Sequence, residues 1–268
     1  MNFQWLFDRP IAHRGLHNAE LPENSLPAYQ NAIDHNFNIE IDVHLTKDKK
    51  LVIFHDNTLK RVCGVDKAIK DCTLAELKTY RLLGTEHTIP TFDEFLELID
   101  GQVGILCEIK GINPCDHSIV KATLDRLKTY TGRIAIQSFN FGAVKYARKH
   151  SNLPVGELFT WCSPSTKKSR WWAASFMGKL RIAKLCDPQF VAYDVRACMP
   201  DLKKENKWLV KWSKKLPTIF WTVVDEDTIK TTQKYANNMI FEYITPERAE
   251  ECVGTFAPFK CKKLPSQY

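Results

Sequence analysis

The feature that most limits what this chain can fold into is an alternation. Short apolar runs rich in Ile, Val and Phe take turns with longer stretches of helical period along the chain, the pattern of parallel strands joined by crossover helices. Strands are expected at Pro10–Arg14, Asn38–Leu45, Val103–Lys110, Arg133–Ser138, Pro154–Phe159, Gln189–Asp194, Pro217–Val224 and Met239–Ile244. Helices are expected at Glu23–His35, Phe92–Ile99, His117–Tyr130, Phe141–His150, Lys168–Lys184, Leu202–Lys214 and Asp227–Ala236, with a last one after Pro246. Eight strands so arranged predict an α/β fold, the (β/α)8 TIM barrel, and 268 residues suit one barrel of about 250. No repeat, low-complexity stretch or Gly/Ser linker marks a boundary, so residues 1–268 read as a single domain.

One apolar run, Leu51–His55, falls outside the eightfold count. Only Thr46–Lys50 separates it from the second strand, too few residues for a parallel crossover, so it must return antiparallel as a hairpin. With the turn at Lys47–Lys50, facing positions sum to about 97, which sets His55 beside Asp42. Residues from about Asp56 to Pro90 then form an excursion over the barrel mouth, where such folds carry their chemistry.

Polar residues collect at the C-terminal ends of the early strands: His13 and Arg14, Glu40 and Asp42, His55 from the hairpin, Glu108 and Lys110. Glu40 and Asp42 are two apart, as are Glu108 and Lys110, so each pair projects from one face of its strand, toward the barrel interior. Three converging carboxylates repel one another, and a divalent cation relieves that cost. Oxygen-only ligation favours Mg²⁺ or Ca²⁺ over zinc. The alternative is a buried salt-bridge network of Glu40, Asp42 and Glu108 with Arg14 and Lys110. Asn24 has an equally plain reading as a helix N-cap, Gly15 as a turn glycine, and Phe139 and Trp221 as core aromatics.

Taken together, Ile11-Ala12-His13-Arg14-Gly15, Pro22-Glu23-Asn24-Ser25, Glu40-x-Asp42, His55-Asp56 and Glu108-x-Lys110 resemble the glycerophosphodiester phosphodiesterases. Gln137-Ser138-Phe139 and Phe220-Trp221-Thr222-Val223 extend the resemblance over nearly the whole chain. It implies a (β/α)8 barrel with a small cap insertion, residues 46–90, after the second strand. It implies a divalent ion, Mg²⁺ or alternatively Ca²⁺, on Glu40, Asp42 and Glu108, with His13 and His55 as acid and base. The implied reaction is hydrolysis of a small-molecule glycerophosphodiester to glycerol 3-phosphate and an alcohol, attack coming from water or from the neighbouring glycerol hydroxyl. Arg14 and Lys110 suit the phosphate, Phe139 and Trp221 the wall of the pocket, and Glu23 and Asn24 a supporting place behind it. Elementary chemistry agrees, since cations neutralise charge building at phosphorus and two imidazoles share the proton transfers.

The resemblance weakens late in the chain. Relatives commonly carry Asn where this chain has Val224, and Gly-x-Asp-Gly-Ile-x-Thr-Asp where it reads Asn237-Asn238-Met239-Ile240-Phe241-Glu242-Tyr243-Ile244. These positions are expected to lie away from the metal and both histidines. His17, His35, His44, His87, His117 and His150 match no motif and read as surface or packing residues, His17 standing apart in that it lies close to the mouth.

A net charge of +7 is densest between Lys167 and Lys184, where basic residues mix with Trp171, Trp172 and Phe176. Such a segment fits contact with an anionic membrane surface through Trp171 and Trp172, or packing against the barrel. The first case would suit a lysophospholipase D of the same chemistry, and a barrel that only binds phosphate esters or a protein is the non-catalytic rival. No nucleic-acid-binding module is present. Nine cysteines without Cys-x-x-Cys spacing suit a reducing compartment, and the first ten residues lack a signal-peptide pattern, so a cytoplasmic protein is expected.

Overall fold

The structure, a computed structural model, describes residues 3–111, 113–160, 183–198 and 215–259. Its strands are β1 (Ile11–Ala12), β2 (Asn38–Leu45), β3 (Leu51–Ile53), β4 (Ile105–Ile109), β5 (Ile134–Ser138), β6 (Val155–Phe159), β7 (Phe190–Asp194), β8 (Thr218–Val223) and β9 (Asn238–Phe241). β1 pairs in parallel with both β2 and β9, closing eight parallel strands into the expected barrel, while β3 lies antiparallel along the end of β2. Helices at Phe92–Ile99 and Phe141–His150 match their expected bounds, and those at Leu26–Asp34, Ser118–Leu127 and Glu226–Tyr235 are shifted or trimmed by a few residues. The expected helix at Leu202–Lys214, the basic Trp171–Trp172 segment and all but the end of the expected helix at Lys168–Lys184 lie outside the described residues.

Strand alternation sorts the side chains into two layers. Ile105, Cys107 and Ile109 of β4 face the helices, whereas Leu106 joins Ile11, Ala135, Leu158, Phe190, Ala192, Ile219 and Ile240 in a cluster inside the barrel. Burying each large apolar side chain contributes roughly 1.5–3 kcal/mol. The fit is close: a Cβ at Gly156 would stand 2.2 Å from the Phe190 ring. Below this cluster the short helix Trp5–Asp8 closes the barrel, held by amide donation from Asn38 to the Trp5 carbonyl (3.1 Å) and from Asn238 to the Leu6 and Arg9 carbonyls (2.8 and 2.7 Å). The N-terminal end is therefore packed shut, and open space is left at the C-terminal mouth.

Two elements depart from expectation at that mouth. β1 stops at Ala12 because Arg14 (φ 56°) and Gly15 (φ 84°) are left-handed and turn the chain aside. Glycine suits that turn doubly, since a Cβ there would come within 3.0 Å of the Ala28 carbonyl and the Tyr29 ring. The helix expected from Glu23 begins at Leu26, because Asn24 is also left-handed (φ 53°) and Ser25 is the N-cap, accepting from the Ala28 N–H at 3.4 Å.

The hairpin forms, one residue out of the expected register, with Val43 facing Ile53 and Leu45 facing Leu51. A three-residue loop explains the slip: Thr46 N–H donates to the Lys50 carbonyl at 2.9 Å, Lys49 N–H donates to Thr46 at 3.0 Å, and Lys49 takes up φ 62°. Beyond it, Val52, Phe54, Leu59, Val62, Ile69, Leu77, Leu82 and Ile89 bury a small cluster of their own. Among the described residues no helix is long and apolar enough to cross a membrane.

Candidate active site

At the mouth a cavity of about 230 Å³ is lined by His13, Arg14, Glu40, His55, Glu108, Gln137, Phe139, Leu158, Trp221, Thr222 and Ile240. Residues singled out from β1, β2, the hairpin, β4, β5 and β8 thus meet around one space. Phe139 and Trp221 stack edge to face, with centroids 5.6 Å apart, and form an aromatic wall. The Trp221 Nε1 and Gln137 Oε1 atoms are buried there without a hydrogen-bond partner among the described residues, leaving one donor and one acceptor for a bound molecule.

Behind the cavity sit the carboxylates. Glu40, Asp42 and Glu108 each offer an oxygen within 4.8 Å of the others, and all three are buried. Lys110 Nζ bridges Asp42 Oδ1 (2.8 Å) and Glu108 Oε1 (2.7 Å), and Arg14 Nε lies 3.6 Å from Asp42 Oδ2. The salt-bridge network is therefore present, but three acids share two cations. Burial and the charges of Asp42 and Glu108 push Glu40 well above the usual carboxylate range. Burial also favours a neutral Asp42, yet Lys110, His55 and Arg14 outweigh it and hold that carboxyl far below its ordinary value. Burial raises Glu108, with the Lys110 ammonium opposing. An all-oxygen cluster in which burial and like-charge repulsion disfavour the ionised form of Glu40 fits a hard divalent cation, which would favour that form.

Asn24 joins this cluster instead of capping the helix. Its Nδ2 donates to Asp42 Oδ2 at 2.9 Å, and its Oδ1 accepts from the buried Tyr29 hydroxyl at 2.9 Å. Glu23, buried on the same turn, accepts from Arg14 (2.8 Å) and from both terminal nitrogens of Arg61 (2.7 Å each). Arg61 also grips Asp56 (2.7 Å), which meets His55 Nδ1 at 2.6 Å. A chain of alternating charge, His55–Asp56–Arg61–Glu23–Arg14, therefore ties the excursion to the barrel rim. The register slip sets Phe54, not His55, opposite Asp42, with the Phe54 N–H bonding the Asp42 carbonyl at 2.9 Å; His55 follows at the same rim, near enough for its charge to bear on the Asp42 carboxyl.

The last strand is where expectation failed. Glu242 does not lie away from the histidines: its Oε2 is 2.8 Å from His13 Nδ1 and its Oε1 is 3.1 Å from His17 Nε2. His17, close to the mouth as its position suggests, is packed against Glu242 and mostly buried. The signal for Glu242 was available, since Ile240 points into the barrel and the residue two further on shares its face. For Arg61 the sequence carried no signal, because its contacts bridge separate elements.

The model of the glycerophosphoryl diester phosphodiesterase family matches residues 13–242, a span that begins at His13 and ends at Glu242. The chain belongs to that family. An uncharacterized protein of Mycoplasma genitalium is 31% identical over 255 residues, covering 90% of this chain and 96% of its own length. A glycerophosphodiester phosphodiesterase of Caldanaerobacter subterraneus is 34% identical over 160 residues, 56% of this chain and 65% of that relative, a little under two thirds. The fold is shared with an Oleispira antarctica phosphodiesterase solved with the product sn-glycerol-3-phosphate, at TM-score 0.72 and 24% identity, covering 91% of this chain and 96% of that one.

Proposed function

We propose that this protein hydrolyses glycerophosphodiesters, the deacylated phospholipids, to sn-glycerol 3-phosphate and an alcohol. The observation that carries the reading is the cavity itself: two histidines, each with a carboxylate on Nδ1, border it beside a buried acid cluster. His13 and His55 are assigned as the acid and base, one taking the proton of the attacking water or neighbouring glycerol hydroxyl and the other delivering a proton to the departing alkoxide as its bond to phosphorus breaks; where the hydroxyl attacks, water then opens the cyclic phosphate to sn-glycerol 3-phosphate. Burial lowers the proton affinity of both imidazoles, and for His13 this outweighs the opposing pull of Glu242.

Glu40, Asp42 and Glu108 would hold the divalent ion, Mg²⁺ with Ca²⁺ as the alternative. When bound, it supplies positive charge to the phosphoryl oxygens. Arg14 and Lys110 add fixed positive charge beside it, and Phe139 and Trp221 wall the glycerol. Glu23 and Asn24 hold Arg14 and Asp42 in place. In this reading residues 46–90 are a cap on a single-domain barrel, and the protein works in the cytoplasm, where its six described cysteines, all free, remain reduced.

The test is release of sn-glycerol 3-phosphate from a panel of glycerophosphodiesters and lysophospholipids, each with Mg²⁺, Ca²⁺ or excess chelator. Turnover of the deacylated diesters that needs added metal is expected. Turnover of lysophospholipids alone would replace this reading with lysophospholipase D activity, and no turnover of any diester would return the barrel to a binding role.

A further inference from the structure

His13 and Glu242 sit at the ends of β1 and β9, which are paired, and the backbones are locked together where they meet. The His13 N–H donates to the Phe241 carbonyl at 3.0 Å, and the Glu242 N–H donates to the Val223 carbonyl at 3.0 Å. The residue after each, Arg14 at φ 56° and Tyr243 at φ 61°, turns the chain away, so the two side chains are left facing one another. Both are largely buried, as is His17 on the far side of the carboxylate, with side-chain exposures of 12%, 11% and 10%. Glu242 therefore faces an imidazole at each oxygen: Oε2 hydrogen-bonds with His13, and Oε1 lies 3.1 Å from Nε2 of His17, an ion-pair contact short of a well-aligned hydrogen bond, with the His17 ring edge-on against Tyr243 at 5.8 Å.

A carboxylate accepts and does not donate, so an imidazole nitrogen 2.8 Å from one carries the hydrogen. In the neutral ring that leaves the other nitrogen bare. Here the other nitrogen is Nε2, on the side of Glu40 and the cavity. We propose that Glu242 is a positioning residue for His13: it fixes the Nδ1–H tautomer and the ring plane, so that Nε2 meets the substrate as a proton acceptor, and His17 keeps Glu242 from turning away. Asp56 meets His55 Nδ1 in the same way, at 2.6 Å, so the contact alone does not divide the roles; with His13 taken as the base, His55 is left as the acid. This rests on the reading that His13 exchanges a proton with substrate.

Glu242→Gln tests it with little change of shape. An amide can present either oxygen or nitrogen to Nδ1, so the tautomer is no longer dictated. The expected result is a fall in kcat of about 10²- to 10⁴-fold with KM within about threefold, because the contact orients the base and does not touch substrate. Glu242→Asp should recover part of the rate, and His17→Gln should cost about tenfold or less. A nitrophenyl ester, whose leaving group needs no proton, should rescue His55→Ala and not Glu242→Gln. Independently of activity, ¹⁵N shifts of His13 in the neutral wild-type ring should report Nδ1–H, turning to a mixture in Glu242→Gln.

Wild-type His13 as the Nε2–H tautomer, or Glu242→Gln with kcat within threefold of wild type while His13→Ala is inactive, would overturn the proposal. Near wild-type rates in His13→Ala would instead remove the role of His13 on which it rests. Should Glu242→Gln fail to fold, Glu242→Asp and the wild-type spectrum still decide.

Discussion

The two sides of the mouth reach a similar arrangement by different means. On the β1 side the partner of the imidazole arrives from the far end of the chain, and Glu242 is buried and shared with a second histidine. On the excursion side the partner is the next residue, Asp56, whose charge is countered by Arg61 and whose histidine is 34% exposed. The first side is made rigid by barrel strands and the second by a relay of ion pairs. Precision in the one comes from backbone closure, and in the other from long side chains that must each be held, which is the weaker kind of support for a partly exposed network.

Metal removal should break both sides at once and is expected to have the largest effect. Excess chelator should abolish turnover, and Glu40→Gln or Glu108→Gln should weaken metal binding measured by calorimetry. Full activity in chelator, with no metal detected in the protein, would refute the cation's role.

Next come the histidines. His13→Ala and His55→Ala should each lower kcat by at least ~10²-fold with thermal stability close to the parent. The double mutant should be far less impaired than the product of the two single losses, as for groups that act together. A fully multiplicative loss would mean that the two sides work independently.

Arg61→Ala separates the sides. It leaves Glu242 and His13 untouched and strips Asp56 and Glu23 of a cation, so kcat should fall about tenfold, the scale of one charge-assisted support of about 1.5 kcal/mol. If the loss equalled that of His55→Ala, the relay would be indispensable and the contrast between the two sides would be gone.

The smallest effect on turnover belongs to a control away from the mouth. Glu157 points outward from β6, buried, with Cys186 Sγ at 3.1 Å from one oxygen and no hydrogen-bond partner for the other among the described residues. Burial raises this carboxyl to about 8. A raised acid stabilises the fold below its unfolded value near 4.5, and that advantage is lost as pH climbs through about 8. Glu157→Gln should therefore raise Tm at pH 8 by several degrees and leave it nearly unchanged at pH 4, with rates preserved throughout. Equal melting temperatures at pH 8 would show that the carboxylate has a partner.

The contrast also marks what the sequence made legible. The barrel followed from an alternation that survives local noise, and the acid cluster from the two-residue spacing of Glu40 and Asp42. Asp56 is adjacent to His55, so that pair could be read directly. Three things were hidden by tertiary geometry. Asn24 looked like a cap until its left-handed backbone gave that task to Ser25. Lys49 in the same conformation shortened the hairpin loop and moved its register. Glu242 stood in a segment that departs from the family pattern, which drew attention to what was missing there and away from the carboxylate present.

β1 is only two residues long, yet it joins the first and last of the other barrel strands. His13 and Glu242 are 229 residues apart in sequence. Contacts of that span are late events in folding, since the loop entropy must be met before they return any stability. On the ribosome, a chain that has emerged through β8 already carries the acid cluster, both histidines and the aromatic wall, but lacks the carboxylate that steadies His13. A chain arrested before β9 would therefore present the mouth with His13 facing no carboxylate from that strand.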